Sequence, residues 1–214
     1  MKQLKFIHIT KCAGTSIEAL GNENNILWGR YHEEEYGFWH EPFNNKPIEL
    51  KKKYDWFMVV RNPYTRVLSE YYCEWGGIGK KECIPDTKDK FNELLIYNIN
   101  NRYNPSIVAP PKGYHYIEQS NYYTNDKDIT INIIKFENLS FELDILFKRY
   151  DLNININSLK TINTKSEKNK SLPFTINDFN IELINLINNV NSKDFELFNY
   201  KKKHPNQSHN LSSK

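Results

Sequence analysis

Three short β-prone runs, Leu4–Ile9, Trp56–Val60 and Ile129–Phe136, constrain this chain more than any other feature, because stretches with helical spacing lie between and after them. Trp56–Val60 is apolar at every position, as expected of a strand covered on both faces. Between the strands, Thr15–Leu20 and Pro47–Lys53 read as short helices. Pro63–Trp75 carries Val67, Leu68, Tyr71, Tyr72 and Trp75 on a helical period, and Lys88–Ile99 does the same with Phe91, Leu94, Leu95 and Tyr97. Asn138–Tyr150 repeats it with Leu139, Leu143, Leu146 and Phe147, and Asp178–Val190 is the last long helix. Short buried strands alternating with helices predict an α/β layered fold with a largely parallel sheet flanked by helices. With 214 residues, one domain is expected, spanning residues 1–200, with the basic stretch 201–214 as a disordered tail. Residues 76–86 and 102–116 read as loops, and residues 153–171 as a long irregular segment.

In such a sheet, ligands bind at the carboxyl ends of the strands, and two segments there carry chemistry. The first strand feeds a tight turn containing Lys11 and Gly14, after which Thr15 and Ser16 open a helix and are expected to cap it. Strand, glycine turn and helix start make an anion site, since the free N–H groups of the first helical turn converge with the positive end of the helix dipole. Lys11 and the hydroxyls of Thr15 and Ser16 add charge and donors, so a phosphate or a similar group is expected. A Walker A loop places its lysine after the second glycine, whereas Lys11 precedes the only glycine here. A nucleoside-triphosphate loop is therefore disfavoured. At the end of the second strand stands Arg61, followed by Pro63 at the first position of a helix that carries Ser69. A guanidinium fork and a hydroxyl so placed can grip one phosphate.

Residues 6–16, Phe-Ile-His-Ile-Thr-Lys-Cys-Ala-Gly-Thr-Ser, resemble the 5′-phosphosulfate-binding loop of sulfotransferases that use 3′-phosphoadenosine 5′-phosphosulfate (PAPS). The likeness is to the carbohydrate-modifying branch, of the Golgi heparan and chondroitin type. Arg61-Asn62-Pro63, with Arg66, Ser69 and Tyr72 behind it, is similar to the 3′-phosphate motif of the same family. Supporting resemblances are His115-x-x-x-Gln119-Ser120, Lys135-Phe136-Glu137-Asn138-Leu139, Asn169-Lys170-Ser171 and the ending Lys193–Tyr200. The resemblance implies a P-loop-kinase-like sulfotransferase fold. It also implies transfer of a sulfuryl group from PAPS to a hydroxyl on a carbohydrate or another acceptor, leaving 3′-phosphoadenosine 5′-phosphate (PAP). Carried onto this chain, it assigns Lys11, Cys12, Ala13, Gly14, Thr15 and Ser16 to the 5′ end of the cofactor, Arg61 and Ser69 to the 3′-phosphate, and Lys170 to its neighbourhood. Lys11 is also catalytic in this scheme, stabilising the departing phosphate.

An acceptor hydroxyl needs a base, and histidine suits the task near neutral pH. In similar enzymes the base lies between the two motifs; His40, followed by Glu41-Pro42, fits best, and His32, beside Glu33-Glu34-Glu35, is second. His8 is read as structural and His115 as lining the acceptor site. No metal-ligand cluster with recognisable spacing is present, so no metal is expected. Cys12, Cys73 and Cys83 are too few for a disulfide framework; Cys12 is read as a small filler in the turn. The net charge of +3 is too mild to argue for nucleic acid. No signal-like region precedes the first strand and no run of about eighteen apolar residues occurs, which predicts a cytoplasmic chain without a membrane span. Two alternatives stand beside the leading reading: a small kinase-like phosphotransferase, and a non-catalytic protein that binds a nucleotide or glycan on the same fold.

Overall fold

The computed structural model describes residues 2–28, 40–73, 85–104, 114–157, 159 and 173–204. The described residues of this α/β chain group into two compact units, residues 1–61 with 121–172 and residues 62–120 with 173–214.

The first unit is built on a parallel sheet of β1 (Leu4–Ile7), β2 (Asp55–Val60) and β3 (Ile131–Lys135), in the order β1-β2-β3. Leu4 pairs with Asp55, and Trp56 with Ile131. Its helices are α1 (Gly14–Glu23), α2 (Ile48–Lys53) and α5 (Leu139–Arg149). All six residues of β2 are buried because both faces are covered. Phe57 meets the rings of Phe6, Trp28 and Phe147 at 4.9, 5.2 and 6.0 Å, and Trp56 meets Phe43 at 5.1 Å on the other side. An uninterrupted apolar strand is the sequence signature of that double burial.

The second unit is helical, with α3 (Pro63–Tyr71), α4 (Lys88–Asn100), α6 (Ile181–Val190) and α7 (Ser192–Leu197). Pro63 occupies the first turn of α3 as expected, and the Asn62 side chain caps it by accepting from the Tyr64 amide at 3.0 Å. The core joins Tyr64, Val67, Tyr71, Phe91, Leu95, Phe174, Phe179, Leu183 and Phe195. Phe91 stacks on Phe174 at 4.5 Å and receives Tyr71 edge-on at 4.6 Å.

Several boundaries differ from the sequence reading. β1 ends at Ile7, and the last long helix begins at Ile181 rather than Asp178. Thr175 and Asp178 close a reciprocal capping box around a short 3-10 turn, and Asn180 then caps α6 through the Leu183 amide at 2.9 Å. The stretch beginning at Lys201 is held to the second unit at its start. The Lys203 amide donates to the Tyr64 hydroxyl at 2.7 Å, and its carbonyl accepts from Asn188 at 2.9 Å.

Asp194 organises the second unit from inside. It is fully buried, and its carboxylate accepts from the Gln119 and Ser120 amides, both at 2.8 Å. Truncation to alanine strands both amides, at about 1–3 kcal/mol for each, which urea unfolding will register as a lower midpoint. Burial raises the Asp194 carboxyl above its ordinary value, although the two amides pull the other way. A folded-state value above the unfolded one means that this group's contribution is complete at acid pH and is lost as pH rises through the folded value. The stability gap between wild type and Asp194→Asn is therefore expected to be widest in acid and to narrow toward neutral pH.

Candidate functional site

The turn between β1 and α1 has an unusual backbone. Lys11 and Ala13 both take left-handed conformations, with φ of 59° and 62°, on either side of the fully buried Cys12. Such a conformation costs a non-glycine residue roughly 1–2 kcal/mol. Alternation of φ sign turns successive N–H groups toward one side, which makes an anion-binding concavity. Ala13 is the N-cap of α1 and makes no side-chain cap bond. The hydroxyls of Thr15 and Ser16 thus do not cap the helix as expected; both residues lie inside its first turn, Thr15 exposed and Ser16 buried. The Ser16 and Ile17 amides turn back to the Ala13 carbonyl, at 3.0 and 3.1 Å. Among the described residues, the Gly14 and Thr15 amides have no backbone acceptor, so both stay available at the positive end of the dipole. Half-buried Lys11 adds a full charge, with no carboxylate paired to it among the described residues.

His8 determines how this turn is packed. Its Nδ1 lies 2.8 Å from Glu18 Oε1, and both side chains are buried. The carboxylate accepts, so Nδ1 carries the proton and the ring is fixed. Its far edge then lies against Gly14, where an added Cβ would come within 1.8 Å of His8 Nε2. The glycine is there because an imidazole occupies the space of a side chain. Buried His40 packs edge-on against His8, with ring centroids 4.4 Å apart. His40 Nδ1 faces the His8 carbonyl at 3.4 Å, and the Tyr122 hydroxyl donates to the His40 carbonyl at 2.8 Å. A carbonyl only accepts, so this contact puts the proton on Nδ1 and leaves Nε2 as the basic nitrogen.

Arg61 joins the same turn: its Nη1 donates to the Lys11 carbonyl at 3.2 Å, and its guanidinium lies 4.2 Å from the centre of the Phe136 ring. Lys11, Cys12, Ala13, Gly14, Thr15, Ser16, Arg61 and His40 are therefore brought into the first unit around one turn. Ser69 lies half-buried on α3 in the second unit. His32 and Lys170 lie outside the described residues, as does Cys83.

Sequence reasoning missed two groups. One is the His8–Glu18 pair, although the residues are ten apart and both near the anion loop. The other is a buried cluster of Glu70, Cys73 and His115 in the second unit, which places His115 against a carboxylate inside the protein. The Glu-x-x-Cys spacing across the end of α3 was its only local signal.

Among the described residues, no helix is long and apolar enough to cross a membrane. Neither the curated proteins nor the solved structures contain a match to this chain. The family described as the sulfotransferase family matches residues 2–201. A match over nearly the whole chain means that this chain belongs to the sulfotransferase family.

Proposed function

We propose that this chain transfers the sulfuryl group of PAPS to a hydroxyl of an acceptor, and that the acceptor is a carbohydrate. The observation that carries this reading is the uncapped α1 terminus, where open amides, Lys11 and the Arg61 guanidinium gather at one turn. PAPS, when bound, supplies an activated sulfuryl group with a phosphate as leaving group. The Gly14 and Thr15 amides and Lys11 are suited to hold that 5′-phosphate and to stabilise the charge that builds on it. Thr15 and Ser16 offer hydroxyl donors beside them. Arg61 and Ser69 are assigned to the 3′-phosphate, and Lys170 to the cofactor's surroundings, on their motif positions. His40 Nε2 accepts the proton of the acceptor hydroxyl in this scheme, with the His8 carbonyl fixing its tautomer; His32 is the second candidate for that role. Charge and positioning supply the catalysis, with no step that calls for a metal.

The test is transfer of labelled sulfate from PAPS across a panel of glycans, with phenolic and peptide acceptors alongside. Sulfation of a glycan is the expected result. Label appearing only on the non-glycan acceptors moves the acceptor class, and phosphate transfer from ATP supports the kinase-like alternative. PAP binding with no transfer to any acceptor supports a binding protein.

A further inference from the structure

The second unit contains a cluster that the anion loop does not use. Glu70 stands in the last turn of α3, Cys73 follows just past the helix, and His115 comes from a segment more than forty residues later. One ligand atom from each, a carboxylate oxygen, the thiol sulfur and an imidazole nitrogen, all lie within 4.8 Å of one another, and all three residues are buried. Glu70 divides its carboxylate: Oε1 lies 3.5 Å from the Arg66 guanidinium and Oε2 lies 2.5 Å from His115 Nδ1. Arg66 is itself held by the Ile117 carbonyl at 2.8 Å, so its charge stays on the Oε1 side.

Next to this cluster lies an unsatisfied group. The Tyr116 hydroxyl is fully buried and meets no partner within strict hydrogen-bond geometry among the described residues, although the Asn98 side chain is close enough to act on it as a donor. Glu70 and Cys73 are among its electrostatic neighbours. A buried hydroxyl without a partner costs about 1–3 kcal/mol and calls for a water or ion beside it. Tyr116 is also held at φ 66°, a left-handed conformation in which a bulky residue is an outlier. The residue directly after His115 is thus both strained and short of a well-aligned partner.

We propose that Glu70, Cys73 and His115 form a zinc site, with a water as fourth ligand facing the Tyr116 hydroxyl. Thiolate, imidazole and carboxylate are the three protein ligand types that zinc takes, and three of them with one water is a standard tetrahedral set. Calcium and magnesium prefer oxygen alone and would not recruit Cys73 and His115. On binding, the hydrogen bond between His115 Nδ1 and Glu70 Oε2 opens, the Cys73 thiol gives its proton to solvent and its sulfur bonds to the metal, and the ring nitrogen of His115 that carries no proton supplies a lone pair. With Arg66 kept on the Oε1 side of Glu70, the metal and its two negative ligands leave one net positive charge at the site, and the water can share a proton with Tyr116. Such a site would join the end of α3 to the segment 115–117. None of its ligands lies in the anion loop, and its test reads metal binding rather than sulfuryl transfer.

The test uses the full chain, purified reduced, exchanged through a chelator, and dialysed against zinc and then metal-free buffer. One equivalent of zinc is expected to remain, and thermal unfolding should shift upward with zinc. Cobalt(II) in place of zinc should show the intense thiolate-to-metal charge-transfer band of a tetrahedral site. Cys73→Ser should abolish that band, and His115→Gln, which removes a ligand, should weaken zinc binding by more than the roughly 10–100-fold that loss of an outer-shell partner costs. Wild-type protein that retains no zinc, or a cobalt complex without a thiolate band, overturns the proposal. So does a band that survives in Cys73→Ser. Because the stoichiometry and the spectrum are read on wild type, the test holds even where a variant fails to fold.

Discussion

His40→Ala is expected to lower sulfuryl transfer by about 10²–10⁴-fold, the range for removal of a general acid–base group, while leaving PAP affinity within a factor of a few. The split between the two readouts follows from placement. In the proposed scheme Lys11 and the Gly14 and Thr15 amides hold the anion, whereas His40 contributes an edge-on ring against His8 and a basic Nε2. The Tyr122 hydroxyl holds the His40 backbone independently of its ring, so truncation should leave the local chain in place. Single-turnover assays at saturating donor separate the two effects. Undiminished transfer in His40→Ala would move the base to His32. Equal losses of transfer and of PAP binding would make His40 a part of the turn's packing instead.

Gly14→Ala is the second large effect. A Cβ at this position meets His8 Nε2 at 1.8 Å, and neither partner has room to move. The ring is tied to Glu18 at 2.8 Å, buried, and backed by His40 at 4.4 Å between centroids. Overpacking of this kind costs about 1–3 kcal/mol. The turn relieves it by shifting the Gly14 and Thr15 amides proposed to hold the anion, so PAP binding should fall further than stability does. The companion variant His8→Ala removes the obstacle. In that background, Gly14→Ala should cost much less, and the coupling in a double-mutant cycle measures the contact. Additive effects of the two substitutions would show that the ring does not press on Gly14.

The sheet was legible because its signal is local. Trp56–Val60 is apolar throughout, and Phe43, Trp28 and Phe147 cover its two faces. Asn62-Pro63 likewise announced the start of α3 through cap chemistry that depends on neighbouring residues alone. The cap of α1 was not legible. Alanine has no preference for the left-handed region, and Ala13 takes it only because the turn and the packing under it require it. Gly14 could be read as a glycine in a turn, yet its reason is the ring of His8, which the sequence shows only as a residue on a strand. Glu70, Cys73 and His115 escaped because the third member comes from a distant segment, and pairing across that distance leaves no periodic trace. Motif spacing singled out Lys11, Gly14 and Arg61, and the Arg61 guanidinium reaches the Lys11 carbonyl at that turn.

Calorimetric titration with PAP, set against AMP, tests the central claim most directly. Phosphates at both the 5′ and 3′ positions should make PAP bind at least about tenfold more tightly than AMP, since hydrogen bonds to charged groups contribute about 1.5–3 kcal/mol. Lys11→Ala should weaken both nucleotides, and Arg61→Ala should remove the advantage of PAP. Equal affinity of the wild-type protein for PAP and AMP, or no binding of either, would contradict the account.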